Sequence, residues 1–142
     1  MENIQAQFQM LDNYVKEYSL ICDKKIPNGV NIEANGKIEF RIINISEVEN
    51  YLLGEIELKN DLDLTTEDGL TAQIRIVMGG LFKFTNKDNK EEFENMLKYN
   101  GAPALSQFIR SYIHTSTSIG GMPPIITPMI NFVEFFQNSV NK

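Results

Sequence analysis

Residues 70–78, LTAQIRIVM, decide the fold: Leu70, Ala72, Ile74, Ile76 and Met78 alternate with Thr71, Gln73 and Arg75. A period of two sends successive side chains to opposite faces, so this stretch is a half-buried strand and not a helix. Upstream, residues 37–45, KIEFRIINI, repeat the pattern with Ile38, Phe40 and Ile42 against Lys37, Glu39 and Arg41. Residues 48–62, VENYLLGEIELKNDL, keep Val48, Leu52, Ile56 and Leu58 in one phase, with Gly54 marking a bulge or a close backbone approach. Residues 14–22, YVKEYSLIC, set Tyr14, Lys16, Tyr18 and Leu20 against Val15, Glu17, Ser19 and Ile21. Their aromatic and β-branched content favours a strand. A long loop at 23–36 and a turn at 63–69 punctuate the series, and Gly79-Gly80 reads as a bend where the last strand ends. Four strands in succession predict an antiparallel sheet.

Helical patterns follow. KDNKEEFENMLKYNG, 87–101, offers Asp88 or Asn89 as a cap and Gly101 as a stop. In APALSQFIRSYIHTS, 102–116, Pro103 suits a first helical turn, and Leu105, Phe108, Ile109, Tyr112 and Ile113 form an apolar stripe for packing on the sheet. After Pro128 the spacing of Met129, Phe132, Phe136 and Val140 predicts a last helix. Strands first and helices last give an α+β class: a four-stranded antiparallel sheet with helices packed on one face.

The 142 residues fit one domain spanning 1–142, with 1–12 expected as a flexible or short helical lead-in. A net charge of -6 argues against a nucleic-acid partner, which needs clustered Lys and Arg. No run of about eighteen uncharged apolar residues is present, so no membrane insertion is expected. The single cysteine, Cys22, and a start, MENIQAQFQMLDNY, without a basic and then apolar leader point to the cytoplasm. Neither Cys22 nor His114, the only histidine, has a partner group beside it in sequence, so no catalytic, metal or cofactor site is expected, and no enzyme.

One stretch resists this scheme. GGMPPIITPMINF, 120–132, holds three prolines, which exclude a helix or a central strand, yet it is rich in Met and Ile. Such a segment needs some other surface, or another molecule, to cover it.

Four stretches resemble the SecB family of export chaperones over about residues 8–136: YVKEYS at 14–19, GGLFKF at 79–84, GAPALSQFIRSYIHTST at 101–117 and GGMPPIITPMINFVEFF at 120–136. The resemblance implies a homotetramer, a dimer of dimers assembling through sheet edges and helices. It also implies capture of unfolded polypeptides in apolar grooves, with no cofactor and no ATP. Loop 23–36, with Ile26, Val30 and Ile32, and loop 120–128, with Met122, Ile125 and Ile126, are then expected as opposite lips of a peptide-binding groove. Phe40, Ile42, Phe132 and Phe136 would be its floor, with Met129 adapting to varied side chains. For Phe40, Phe132 and Phe136 a core role ranks ahead of client contact; for Met122, Ile125 and Ile126 the order is reversed. Ile74, Ile76 and Met78 are assigned to the oligomer interface. In the family an acidic surface docks the motor SecA. Glu17 keeps one acid of that surface, while Ile21 and Arg75 stand where two more belong, so client holding carries over better than delivery to SecA. A SecB-like protein serving one dedicated partner, such as a toxin–antitoxin pair, is the alternative.

Overall fold

The computed structural model describes residues 7–127 and 129–140. Met1–Ala6, Pro128 and the side chains of Leu70 and Val140 carry parts of the expectations above and lie outside the described residues. Strands β1 (Phe8–Cys22), β2 (Glu33–Val48), β3 (Tyr51–Thr66) and β4 (Gly69–Phe84) form one antiparallel sheet in the order β1-β4-β3-β2. Helix α1 (Lys90–Met96), a π-turn (Leu97–Gly101), α2 (Ala102–Ile119) and α3 (Phe132–Val140) follow.

Register assigns the faces. Leu58 opposes Met78 and Phe40, and Leu62 opposes Ile74, all on the inner face toward the helices. Glu57, Lys59, Asp61 and Arg75 take the outer face. Ile74, Ile76 and Met78, expected at a subunit interface, are only 1%, 0% and 3% exposed inside this chain. A side chain already buried has no area left to give a partner, so that assignment is corrected to core.

β1 begins at Phe8, not near Tyr14, so residues 8–12 are strand and not a flexible lead-in. The cause is packing: Phe8 stacks on Phe82 with centroids 5.1 Å apart and meets Phe93 edge-on. Register shifts between Met10 and Asp12 and between Val15 and Glu17 break the alternation. Tyr14 therefore faces out opposite Gly79, whereas Tyr18 faces in opposite Ile76. β2 begins at Glu33, which shortens the expected loop.

Gly54 lies within an unbroken pairing of β3 with β4 and answers the second of its two readings, since a Cβ there would come 2.8 Å from the Phe93 ring. Gly79-Gly80 is not a terminal bend; β4 continues to Phe84. Nor does Gly101 stop a helix. The backbone stays right-handed through the π-turn and runs directly into α2.

Asn89 caps α1, its side chain accepting from Glu92 N at 3.0 Å. In α2, Leu105, Ile109 and Ile113 are buried against β3 and β4, but Phe108 and Tyr112 of the expected stripe stay 46% and 39% exposed. The packed face is narrower than the apolar one.

Candidate functional site: an apolar ledge beside a proline strap

Residues 120–127 and 129–131 form a strap that turns back along α2. Met122 N donates to Thr117 O at 3.0 Å, Ile125 N to Thr117 Oγ1 at 3.2 Å, and Arg110 Nε to Thr127 O at 3.0 Å. Thr117 Oγ1 itself donates to Ile113 O at 2.7 Å, so one buried hydroxyl joins helix and strap. The strap then enters α3, where Asn131 Oδ1 accepts from Glu134 N at 3.1 Å. Phe136 of α3 meets Phe40 of β2 and Tyr99 of the π-turn. α3 thereby overhangs the β2 side of the sheet.

This arrangement sorts the residues proposed from sequence. Ile26, Met122, Ile125, Phe132 and Phe136 are buried within the chain. For Met122 and Ile125 that reverses the expected order of roles: hooked to Thr117, they close the core. Ile126 and Met129 lie 74% and 73% exposed, Val30 is also exposed, and Ile32, Phe40 and Ile42 are half-buried. Lys24 and Lys25 of the first loop and Gly121 and Met122 of the strap line one hollow, while farther along the strap exposed Ile126 stands between buried Ile125 and Thr127.

Phe40 and Ile42, expected as a groove floor, belong to a longer ledge whose other members, Ala34, Ile38 and Ile45, the sequence does not mark as floor. On β3 the inner residues Leu58, Leu62 and Leu64 are fully covered, whereas the β2 row Ala34, Ile38, Phe40, Ile42 and Ile45 is only half-covered. The covering layer stops short of the last strand. Half-buried Phe135 of α3 lines the same hollow as Ile38 and Phe40. Burying such surface is favourable at roughly 25 cal/mol per Å² and demands no particular sequence from the occupant.

The outer face is polar and internally paired. Glu57, almost buried there, takes Lys16 on one oxygen and Arg41 on the other, the latter at 2.6 Å. Its carboxyl is held below the usual carboxylate value, first by the Lys16 bond and then by Arg41, against the opposing effect of burial. Tyr14 donates to Glu55, and that bond together with partial burial pushes its hydroxyl up to about 12. Arg75 pairs with Asp61 at 2.8 Å. Glu17 stays exposed, and Ile21, at one of the places expected to carry an acid, is exposed beside it. Among the described residues no group of three or more His, Cys, Asp or Glu side chains could hold a metal, and no helix is long and apolar enough to cross a membrane.

Known proteins supply the comparison. Two relatives, the protein-export proteins SecB of Orientia tsutsugamushi strains Boryong and Ikeda, are each 28% identical over 127 residues. The match covers 89% of this chain and 79% and 77% of theirs. In fold the chain is similar to a Mycobacterium tuberculosis SecB-like chaperone solved in complex with an antitoxin peptide. The TM-score is 0.67 at 16% identity, covering 89% of this chain and 93% of that one. The family described as preprotein translocase subunit SecB matches residues 1–142. An α+β sheet with its helices on one face, an uncovered apolar row and a whole-length match lead to one conclusion: the chain belongs to the SecB family of protein-export chaperones.

Proposed function

We propose that this protein holds unfolded polypeptides in the cytoplasm without nucleotide, along the ledge formed by β2, α3 and the strap. The observation that carries the reading is the half-covered row Ile38, Phe40 and Ile42 on β2, to which exposed Ile126 and Met129 add apolar surface on the strap. Contiguous apolar surface left open on a folded chain marks a place for another molecule. An apolar occupant without a fixed sequence fits it, because nothing along the row selects by hydrogen bonding.

Assembly as a homotetramer belongs to the same reading. Exposed Leu11 and Val15 on β1, with Phe108 and Tyr112 on α2, offer apolar surface at a sheet edge and on a helix, in place of the buried Ile74, Ile76 and Met78. The measurement is suppression of aggregation of a chemically denatured test protein at stoichiometric ratios without nucleotide, with the solution mass taken alongside. Aggregation unaltered by a tenfold excess of this protein rules the reading out.

A second reading, service to one dedicated partner, draws on the outer face. Arg75 spent on Asp61 and an exposed Ile21 leave a poorer dock for SecA than a row of acids. A pull-down dominated by one folded protein, with few unfolded chains, favours it over general holding.

A further inference from the structure

The dipeptide Asn-Gly occurs three times, as Asn28-Gly29, Asn35-Gly36 and Asn100-Gly101. Glycine has no side chain to shield its own nitrogen, so in each pair that nitrogen is sterically free to attack the carbonyl carbon of the asparagine side chain. All three asparagines are exposed, so access to solvent does not rank them. The backbone does.

Asn35 and Gly36 lie in β2, paired with Asp63 and Leu62 of β3. Asn100 and Gly101 lie in the π-turn. There Asn100 Nδ2 is tied to Met96 Sδ at 3.3 Å, and a Cβ on Gly101 would come 3.1 Å from Ile56 Cδ1, which leaves little room for a new ring. Asn28 and Gly29 stand instead in a turn of the loop between β1 and β2. Buried Ile26 pins that loop at one end and β2 takes it up at Glu33, but residues 27–31 are all exposed. Gly29 has a φ of 86°, nothing lies within 4 Å of the place of its Cβ, and its N–H makes no hydrogen bond among the described residues. A backbone held by few bonds reaches rare geometries cheaply, whereas a paired or helical one must first open.

We infer that Asn28 is a self-modifying site, at which the chain converts an amide to a carboxylate without an enzyme. The Gly29 nitrogen, having lost its proton to solvent hydroxide, bonds to Asn28 Cγ. The Cγ–Nδ2 bond breaks, and ammonia leaves with a proton taken from water. Water then opens the resulting succinimide ring at either carbonyl, giving aspartate or isoaspartate at position 28. No oxidant, reductant or cofactor enters. The net charge of -6 becomes one unit more negative, and the new acid falls on the loop that carries Lys24 and Lys25. In the isoaspartate form the main chain is also one methylene longer. The inference is independent of the holding function proposed above.

Incubation of the full chain in warm, mildly alkaline buffer tests it. Trypsin with a glutamyl endopeptidase then separates the three sites into fragments 26–33, 34–37 and 99–110. Each conversion adds about 1 Da to its fragment. In the folded protein the Asn28 fragment converts about tenfold or more faster than the other two, and in denaturant the three rates draw together. Asn28→Gln, whose longer side chain would have to close a six-membered ring, removes the fast acidic shift on isoelectric focusing and keeps the melting temperature. Equal rates at the three sites of the folded protein, or a lead by Asn35 or Asn100, overturns the inference. An acidic shift that persists in Asn28→Gln, or conversion at Asn28 only after denaturation, overturns it as well.

Discussion

Phe40 on β2 and Phe136 on α3 meet edge to face, ring centroids 5.0 Å apart and planes at 83°. This contact links the last helix to the uncovered strand, and through Tyr99 it reaches the π-turn as well.

Phe136→Ala removes a buried ring with aromatic neighbours on three elements. The expected loss of stability is about 3 kcal/mol, the cost of a large-to-small change in a core. Chemical denaturation gives the total, and hydrogen exchange shows α3 amides exchanging faster than those of β3. Phe136→Leu, which keeps most of the volume, recovers more than half of the loss.

The strap side chains behave differently. Ile126→Ser with Met129→Ser changes two residues that are mostly in solvent, so stability shifts by about 0.5 kcal/mol or less. Holding of a denatured test protein falls severalfold, read as the chaperone ratio needed for half-suppression. Unchanged holding removes the strap from the occupied surface.

Gly79 sits beneath the Tyr14 ring; a Cβ there would lie 2.5 Å from Tyr14 Cζ. Gly79→Ala therefore displaces the ring and weakens its bond to Glu55. The expected destabilisation is about 1–3 kcal/mol, as for other overpacked sites. In the Tyr14→Ala background the same change costs less, and a double-mutant cycle measures the difference.

Acid weakens the fold through Glu57. Its folded value lies below 4.5, so the stabilisation given by Lys16 and Arg41 is present above pH 4.5 and is lost as pH falls through the lower folded value. Glu57→Gln removes this component and flattens the acid limb of a plot of melting temperature against pH. Tyr14 supplies the opposite limb. Its raised value, about 12, means that stabilisation is present below pH 10 and disappears as pH rises toward 12. Absorbance titration of the tyrosines shows one late transition in the parent protein, absent in Tyr14→Phe.

How much of this was legible in the sequence depends on the range of the interaction. The strands at 37–45 and 70–78 announce themselves by alternation, because each residue faces either core or water along one regular backbone. In β1 the shift between Val15 and Glu17 reverses the alternation, and no local signal marks it, while the start at Phe8 depends on Phe82 and Phe93, far along the chain. Gly54 could be narrowed to two roles, but choosing between them needed Phe93, far along the chain. The strap is legible as apolar and non-helical from its Met, Ile and Pro content. Which of its residues turn in depended on Thr117, whose hydroxyl holds Ile125. The incomplete roof over β2 is a property of how far α3 reaches, and no window of residues contains it.

If the ledge is the holding site proposed above, a shelf roofed from one side can delay a chain but cannot imprison it. A guest that folds draws its own oily side chains into its own interior, and its grip loosens without any fuel being consumed. Dwell time is then set by the guest: slow folders linger, fast folders escape, and the sorting between them is kinetic.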